Sequence, residues 1–306
     1  MGPTRSLGPR PGPSYAEVVV SEEPVRNIHD ELYSETRYDA IWRLSNAGFA
    51  IRISDAVVFI DAVFTSPLPE YQAERQAISE TGEPLSAVNE MRLYDRPENI
   101  LRETHALPLR ADQVERADYI LVTHDHGDHI DPGGLAQLAH LEPTILAPRS
   151  CHPDLLDAEL PAESLVETHF GDRHEADGFS ITVVAADHDT SVGACGYLIE
   201  TEHGTIYHPG DGKFDQPAKA AIAAMSVDYL LVPINDTNLG AGFAALLTHM
   251  LQPRVVIPCH YGYTYPPVRS QGGHPAEFVT ALAARNYKLP FTDIAILSPG
   301  GRVVLA

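Results

Sequence analysis

Apolar positions along this chain fall into short runs separated by polar, turn-rich stretches, the pattern of a strand-rich fold. Residues 40–62 carry two such runs, AIWRLSNAGFAIRIS and AVVFIDA, rich in β-branched and aromatic side chains. They read as successive strands with a turn near Ser54 and Asp55. ADYILVT (117–123) reads as a short buried strand, and PGGLAQLAHL (132–141) opens like a helix with proline in its first turn. TILAP (144–148), GFSITVVAA (178–186), CGYLIET (195–201) and GTIYHPG (204–210) are further strands. Helix-like and strand-like runs then alternate: AKAAIAAM, VDYLLVPI, GFAALLTHML, RVVIPCH, AEFVTALAARN and DIAILSPG. Between Phe64 and about Val114 the pattern turns polar, with a helix expected at YQAERQAISE. A connection of this length reads as a lid or specificity insertion, placed at 64–114.

Composition narrows the classes. The 306 residues suffice for a sizeable core. The opening MGPTRSLGPRPGPSYAE reads as a disordered Pro/Gly-rich tail, assigned to 1–20, which leaves 21–306 as one domain. No apolar stretch follows its two early arginines, and no run of 18 apolar residues occurs, so neither a secretory signal nor a membrane partner is expected. Three widely spaced cysteines, Cys151, Cys195 and Cys259, read as small buried hydrophobes in a reducing, cytoplasmic setting. With 42 acidic against 21 basic residues and no Lys/Arg cluster, a nucleic-acid partner is not expected.

Candidate chemistry concentrates at VTHDHGDHID, residues 122–131. His124 and His126 are two apart where the chain leaves a strand, so both can point to one side. Asp128 and His129 follow at the loop-to-helix junction. Imidazole nitrogens and carboxylate oxygens suit borderline divalent cations, and four such groups can serve two adjacent ions. A merely solvated loop would not explain why similar groups recur at later strand ends: His188 after SITVVAAD, Asp211 in a Gly-Asp-Gly turn, and His260 after RVVIPC.

The ordered set Asp61, His124-x-His126-x-Asp128-His129, His188, Asp211 and His260 resembles the metallo-β-lactamase superfamily, with all five of its motifs present. Within it, IYHPGD, LLVPIND (230–236) and VVIPCHYG (255–262) look most like the UlaG-type, ascorbate-6-phosphate lactonase-like hydrolases. The resemblance implies an α/β fold, a four-layer αββα sandwich, over nearly the whole chain after the tail. It implies His124, His126 and His188 on one divalent metal, Asp128, His129 and His260 on a second, and Asp211 between them. Asp61 would orient the first loop through hydrogen bonds to ligands. The implied activity opens a lactone or similar cyclic ester or amide of a small polar metabolite. Its nucleophile would be a metal-bridging hydroxide, directed by Asp128 or Asp211, with His260 one candidate for protonating the leaving atom. Phosphodiesterase or phospholipase D-like hydrolysis is the alternative, and a non-catalytic metal-binding protein a second. Zinc suits the histidines best, while manganese or iron would suit the carboxylates. An oligomer is implied by the resemblance alone.

Departures prune the branches. Asp211 stands where cysteine-ligand β-lactamases carry cysteine, and His126 is not the glutamate of flavo-di-iron proteins. The length remaining after His260 is short for the helical substrate domain of glyoxalase II.

Among the flanking groups, His208 reads as a strand residue or a support for the ligands, and Asp125, Asp131 and Asp189 as solvated or capping groups. Asn235, Asp236, Tyr261 and Tyr263 are candidates for substrate contact, weighed evenly against turn and packing roles; Tyr265 belongs with the tyrosines.

Overall fold

The structure is a computed structural model and describes residues 18–20, 26–34, 38–65, 107–188, 191–212, 225–235, 240–261, 274–285, 287 and 289–306. Its scaffold is two mixed β-sheets. In chain order the strands are β1 (Val18–Val20), β2 (Ala40–Arg43), β3 (Phe49–Ile53), β4 (Ala56–Ile60), β5 (Tyr119–Leu121), β6 (Thr144–Ala147), β7 (Leu165–Glu167) and β8 (Arg173–Ala176). They continue with β9 (Phe179–Ala185), β10 (Cys195–Thr201), β11 (Gly204–His208), β12 (Tyr229–Pro233), β13 (Val255–Cys259), β14 (Asp293–Ile296) and β15 (Arg302–Val304). One sheet runs β15-β2-β3-β4-β5-β6-β7, the other β1-β14-β13-β12-β11-β10-β9-β8. The α-helices among the described residues are α1 (His29–Leu32), α2 (Pro132–Gln137), α3 (His152–Asp157), α4 (Gly240–Leu251) and α5 (Pro275–Ala284).

Alternation along each strand assigns side chains to layers. Phe49, Ile51 and Ile53 of β3 point into a central core shared with Ile181, Tyr197, Ile206, Tyr229 and Ile257 of the opposing sheet. Ala50 of the same strand points outward, to a second core where Leu135, Leu138 and Leu155 pack on Trp42 and Phe59. On the other side Leu230, Val232 and Val256 face Ala244, Leu247, Phe278 and Leu282. Both faces of the inner strands are therefore buried, which explains why they read as unbroken apolar runs. The layers are helix, sheet, sheet, helix, the expected αββα sandwich.

Parallel pairing makes one edge of the sandwich chemically useful. β4 and β5 are parallel, as are β11, β12 and β13. Their C-terminal ends bring Asp61, the 124–129 loop, Asp211 and His260 to the same edge, and His188 joins them after β9.

The structure departs from the sequence expectations at several points, and α1 and β15 are among the elements no sequence pattern singled out. AIWRLSNAGFAIRIS is two antiparallel strands, β2 and β3, broken at Leu44–Gly48 because Gly48 N–H bonds the Ser45 hydroxyl at 3.0 Å and closes a turn. The last three residues assigned to the tail form β1, which pairs in parallel with β14. β7 and β8 were not anticipated; both are sheet edges, and Arg173 and Glu175 keep β8 charged, as solvent-facing edge strands often are. α3 also lacked a clear pattern, being only 6 residues long. The expected helices YQAERQAISE and AKAAIAAM lie essentially outside the described residues, as does the 64–114 insertion beyond its two ends. Among the described residues no helix is long and apolar enough to cross a membrane. All three cysteines are buried and unpaired with one another, as expected.

Candidate metal centre

The short turn after β5 sets the first part of the site. Thr123 N–H and its hydroxyl donate to Asp61 at 2.8 and 2.7 Å, and the Thr123 hydroxyl lies 2.9 Å from His124 Nδ1. Asp61 Oδ2 also sits 2.7 Å from His129 Nδ1. One fully buried carboxylate thus holds the loop carrying four of the candidate ligands, and it leaves His129 Nε2 turned toward the other acids. Asp61 adopts φ 46°, and His260 φ 60°, a left-handed backbone that non-glycine residues seldom accept. Such strain at two strand ends of one site is the kind that folds store where side chains must be aimed.

Three of the four acid and histidine clusters among the described residues meet at this site. His124, His126 and His188 form one, Asp128, His129 and His260 a second, and His124, His129 and Asp211 a third, each with ligand atoms within 4.8 Å of one another. Asp211 Oδ2 lies 3.0 Å from His260 Nε2 and 3.4 Å from His129 Nε2. His260 Nε2 is 3.1 Å from Asp128 Oδ2 and 3.2 Å from His129 Nε2. The structure therefore gathers all seven residues singled out as ligands, with Asp211 touching both halves. Asp61 and His208 stand behind them. His208 lies 3.1 Å from Ala47 O through Nε2, and its Nδ1 accepts from Gly210 N–H at 3.0 Å, which fixes the turn presenting Asp211.

Electrostatics match a cation-binding role. Burial drives His124 well below the ordinary histidine range, reinforced by neighbouring His129, so it presents a neutral lone pair. For Asp211 burial works upward, but His260 and His129 overcome it and hold the carboxyl well below its usual range. Asp128 is lowered in the same way, against burial, by His129 and His260. Conversely, His129 is raised well above its ordinary value because Asp211, Asp128 and Asp61 outweigh its burial. His260 rises to about 9 through Asp211 and Asp128, again against burial. Without a metal, protons on two imidazoles neutralise the buried acids.

A divalent ion fits the same places. Among the described residues, His124 Nε2 and Asp128 Oδ1 are buried without a hydrogen-bond partner, an arrangement that costs about 1–3 kcal/mol per group unless something coordinates them.

Metal binding must displace these protons, so proton release on uptake is expected. The sign for stability follows from His260. Its raised value stabilises the metal-free fold fully below 6.5, and this is lost as pH rises through about 9. Urea unfolding of chelator-stripped protein should show stability falling by on the order of 3 kcal/mol between pH 6.5 and 9.5. A flat or rising profile would contradict the proton-bridged cluster.

Other sequence candidates fare differently. Asp131 caps α2, accepting from Gly134 N–H at 3.0 Å, and also accepts from Phe64 and Thr65 N–H at 2.9 and 2.8 Å. The Tyr261 ring packs beneath the Arg43 guanidinium at 4.1 Å and its hydroxyl donates to Leu297 O at 3.2 Å, the packing arrangement. Asn235 is buried after β12, beside the end of β13. Asp189, Asp236, Tyr263 and Tyr265 lie outside the described residues.

Three residues at the site escaped the sequence reading. Asn46 Nδ2 donates to Asp128 Oδ2 at 2.9 Å, Thr123 ties Asp61 to His124, and buried Arg43 donates to the carbonyls of Ser45, Asn46, Tyr261 and Leu297. Their only sequence signal is SNAG, a cluster of turn residues interrupting an apolar run, and a threonine preceding the first histidine.

Residues 41–260 match the β-lactamase superfamily domain. The chain belongs to that superfamily. The UPF0173 metal-dependent hydrolase of Thermococcus onnurineus is 31% identical over 192 residues, covering 60% of this chain and 80% of that relative. The one from Pelotomaculum thermopropionicum is 32% identical over 205 residues, covering 62% and 83%. A solved metallo hydrolase from Ignicoccus hospitalis shares the fold, with a TM-score of 0.60 at 17% identity over 88% of this chain and 99% of its own.

Proposed function

We propose that this protein, like the relatives named metal-dependent hydrolases, is a hydrolase that uses two divalent ions to open a lactone, or a similar cyclic ester or amide, of a small polar metabolite. The observation that carries the two-ion reading is the position of Asp211, grouped with His124 of one triad and within 3.4 Å of His129 and His260 of the other. Two bound cations would supply a water of lowered pKa and polarise the substrate's carbonyl oxygen. The protein's part is to hold them. His124, His126 and His188 form one cradle, Asp128, His129 and His260 the other, and Asp211 joins them.

Asp128 and Asp211 are kept ionised by the imidazoles beside them, so each can accept a hydrogen bond from an attacking water and set its direction. In the metal-loaded protein His260 would give its ring nitrogen to an ion, so the proton that its value of about 9 describes belongs to the metal-free state. Asn235, at the end of β12 beside β13, is kept as the candidate for substrate contact, while Tyr261 is engaged in packing with Arg43 and Leu297. Cys259, beside His260, is a poor nucleophile, because burial pushes its thiol far up.

Support for a lactone comes from the UlaG-like segments IYHPGD, LLVPIND and VVIPCHYG, which end β11, β12 and β13 at the site. Zinc is the proposed ion for a histidine-rich set, with manganese or iron as substitutes. The three buried thiols fit a reducing, cytoplasmic setting, and the acidic chain fits a small-molecule substrate rather than nucleic acid or membrane.

The test is a panel of small lactones and cyclic amides run beside chromogenic phosphodiesters, using protein loaded with zinc or manganese. Preference for a lactone by about tenfold or more in kcat/KM is expected, a difference of about 1.4 kcal/mol at the barrier. Preferential phosphodiester cleavage would overturn the lactone reading and leave the metal site standing.

A further inference from the structure

Between β2 and β3 the turn Leu44–Gly48 reaches over the second metal cradle, and its backbone is gripped at three successive carbonyls. Arg43 Nε donates to Ser45 O at 3.1 Å. Asn46 O accepts from His260 N–H at 2.6 Å and from Arg43 at 3.3 Å. Ala47 O lies 3.1 Å from His208 Nε2. Gly48 completes the fit: a Cβ there would stand 2.6 Å from Asp61 O, so only glycine allows the turn to lie against β4's end. Arg43, His208, Asn46 and Gly48 are all buried or nearly so, and none of this grip is needed merely to reverse the chain.

What the held turn presents is the Asn46 side chain. Its Nδ2 donates to Asp128 Oδ2 at 2.9 Å and stands 3.2 Å from His260 Nδ1. Asp128 lies 82 positions away in sequence and His260 214, so one amide spans two candidate ligands delivered by different sheets. The Asp128 oxygen it holds is also the one facing His260 Nε2 at 3.1 Å. A carboxylate oxygen has two lone pairs, so Oδ2 can keep the amide and still meet a cation.

We propose that Asn46 is a positioning residue for one ion only, the ion held by Asp128, His129 and His260, and that it sets how tightly that ion binds. This rests on the two-ion reading above. Both cradles draw on the two sheets, since His188 follows β9 and His260 follows β13; within the second, the Asn46 amide joins Asp128 to His260. Partners that orient ligands are worth about 10- to 100-fold in metal affinity when removed.

The experiment is a zinc titration of chelator-stripped full-length protein against a competing chromogenic chelator, for wild type, Asn46→Ala and Asn46→Ser. Serine suits the turn but is too short to reach Asp128, so it serves if alanine fails to fold. Two ions are expected in wild type. Both variants should keep one ion within about threefold of its wild-type affinity and hold the other about 10- to 100-fold more weakly. In a His260→Ala background, adding Asn46→Ala should change the remaining ion's affinity by less than about twofold, because the pair acts on one position. Equal weakening of both ions, or no weakening, would overturn the positioning role. Fewer than two ions in wild type would overturn the two-ion reading itself, and that failure is visible before any variant is measured.

Discussion

Asp211→Asn is expected to lower turnover by about 10²- to 10⁴-fold while leaving the fold intact. The substitution keeps shape and removes one charge from the residue that touches both cradles, 3.0 Å from His260 and 3.4 Å from His129. Polarisation by a correctly held metal is worth several kcal/mol at the transition state, and each 1.4 kcal/mol is about tenfold in rate. Loss of the shared carboxylate should therefore appear in kcat and not only in KM. Steady-state kinetics on the best substrate of the lactone and phosphodiester panel checks it. Turnover within about threefold of wild type would mean that Asp211 does not join the two positions.

Asp61→Asn should have the largest effect on stability. Asp61 is fully buried, accepts from the backbone and hydroxyl of Thr123, and holds His129 Nδ1 at 2.7 Å. Removing one partner of a buried charged pair costs about 3–5 kcal/mol, a large share of the roughly 5–15 kcal/mol that holds a typical domain together. The asparagine amide would also turn one donor toward donors. Denaturant unfolding of chelator-stripped protein should show the midpoint falling with little change in slope. A loss under about 1 kcal/mol would show that the loop carrying His124 to His129 is held by other means. With metal present the deficit should widen, because mass action stabilises wild type more than a variant whose ligand loop is held less well.

Legibility in the sequence followed the range of each interaction. The ligands were readable because metal chemistry needs particular side chains, and the 124–129 segment packs four of them within one loop. His188, Asp211 and His260 were readable because each ends an apolar run, where a strand surfaces at a sheet edge. Central strands were equally plain, since burial on both faces leaves unbroken apolar runs such as β12. By contrast, β7 and β8 are edges, with half-exposed and charged positions that carry no periodic signal. Asn46 was invisible for a different reason: its partners are 82 and 214 residues away, and no local spacing encodes a tertiary amide bond. The same holds for Arg43, a charge fully buried to organise backbone carbonyls, which the run AIWRLSNAG hides inside a strand.

The central claim is a site for two ions built from seven side chains. Its most direct test is metal content per chain, by mass spectrometry on protein purified without chelator, for wild type, His188→Ala and His260→Ala. The account predicts close to two ions in wild type and about one in each variant, because each substitution dismantles one cradle and spares the other. Close to zero in all three, with no uptake when zinc or manganese is added, would contradict it.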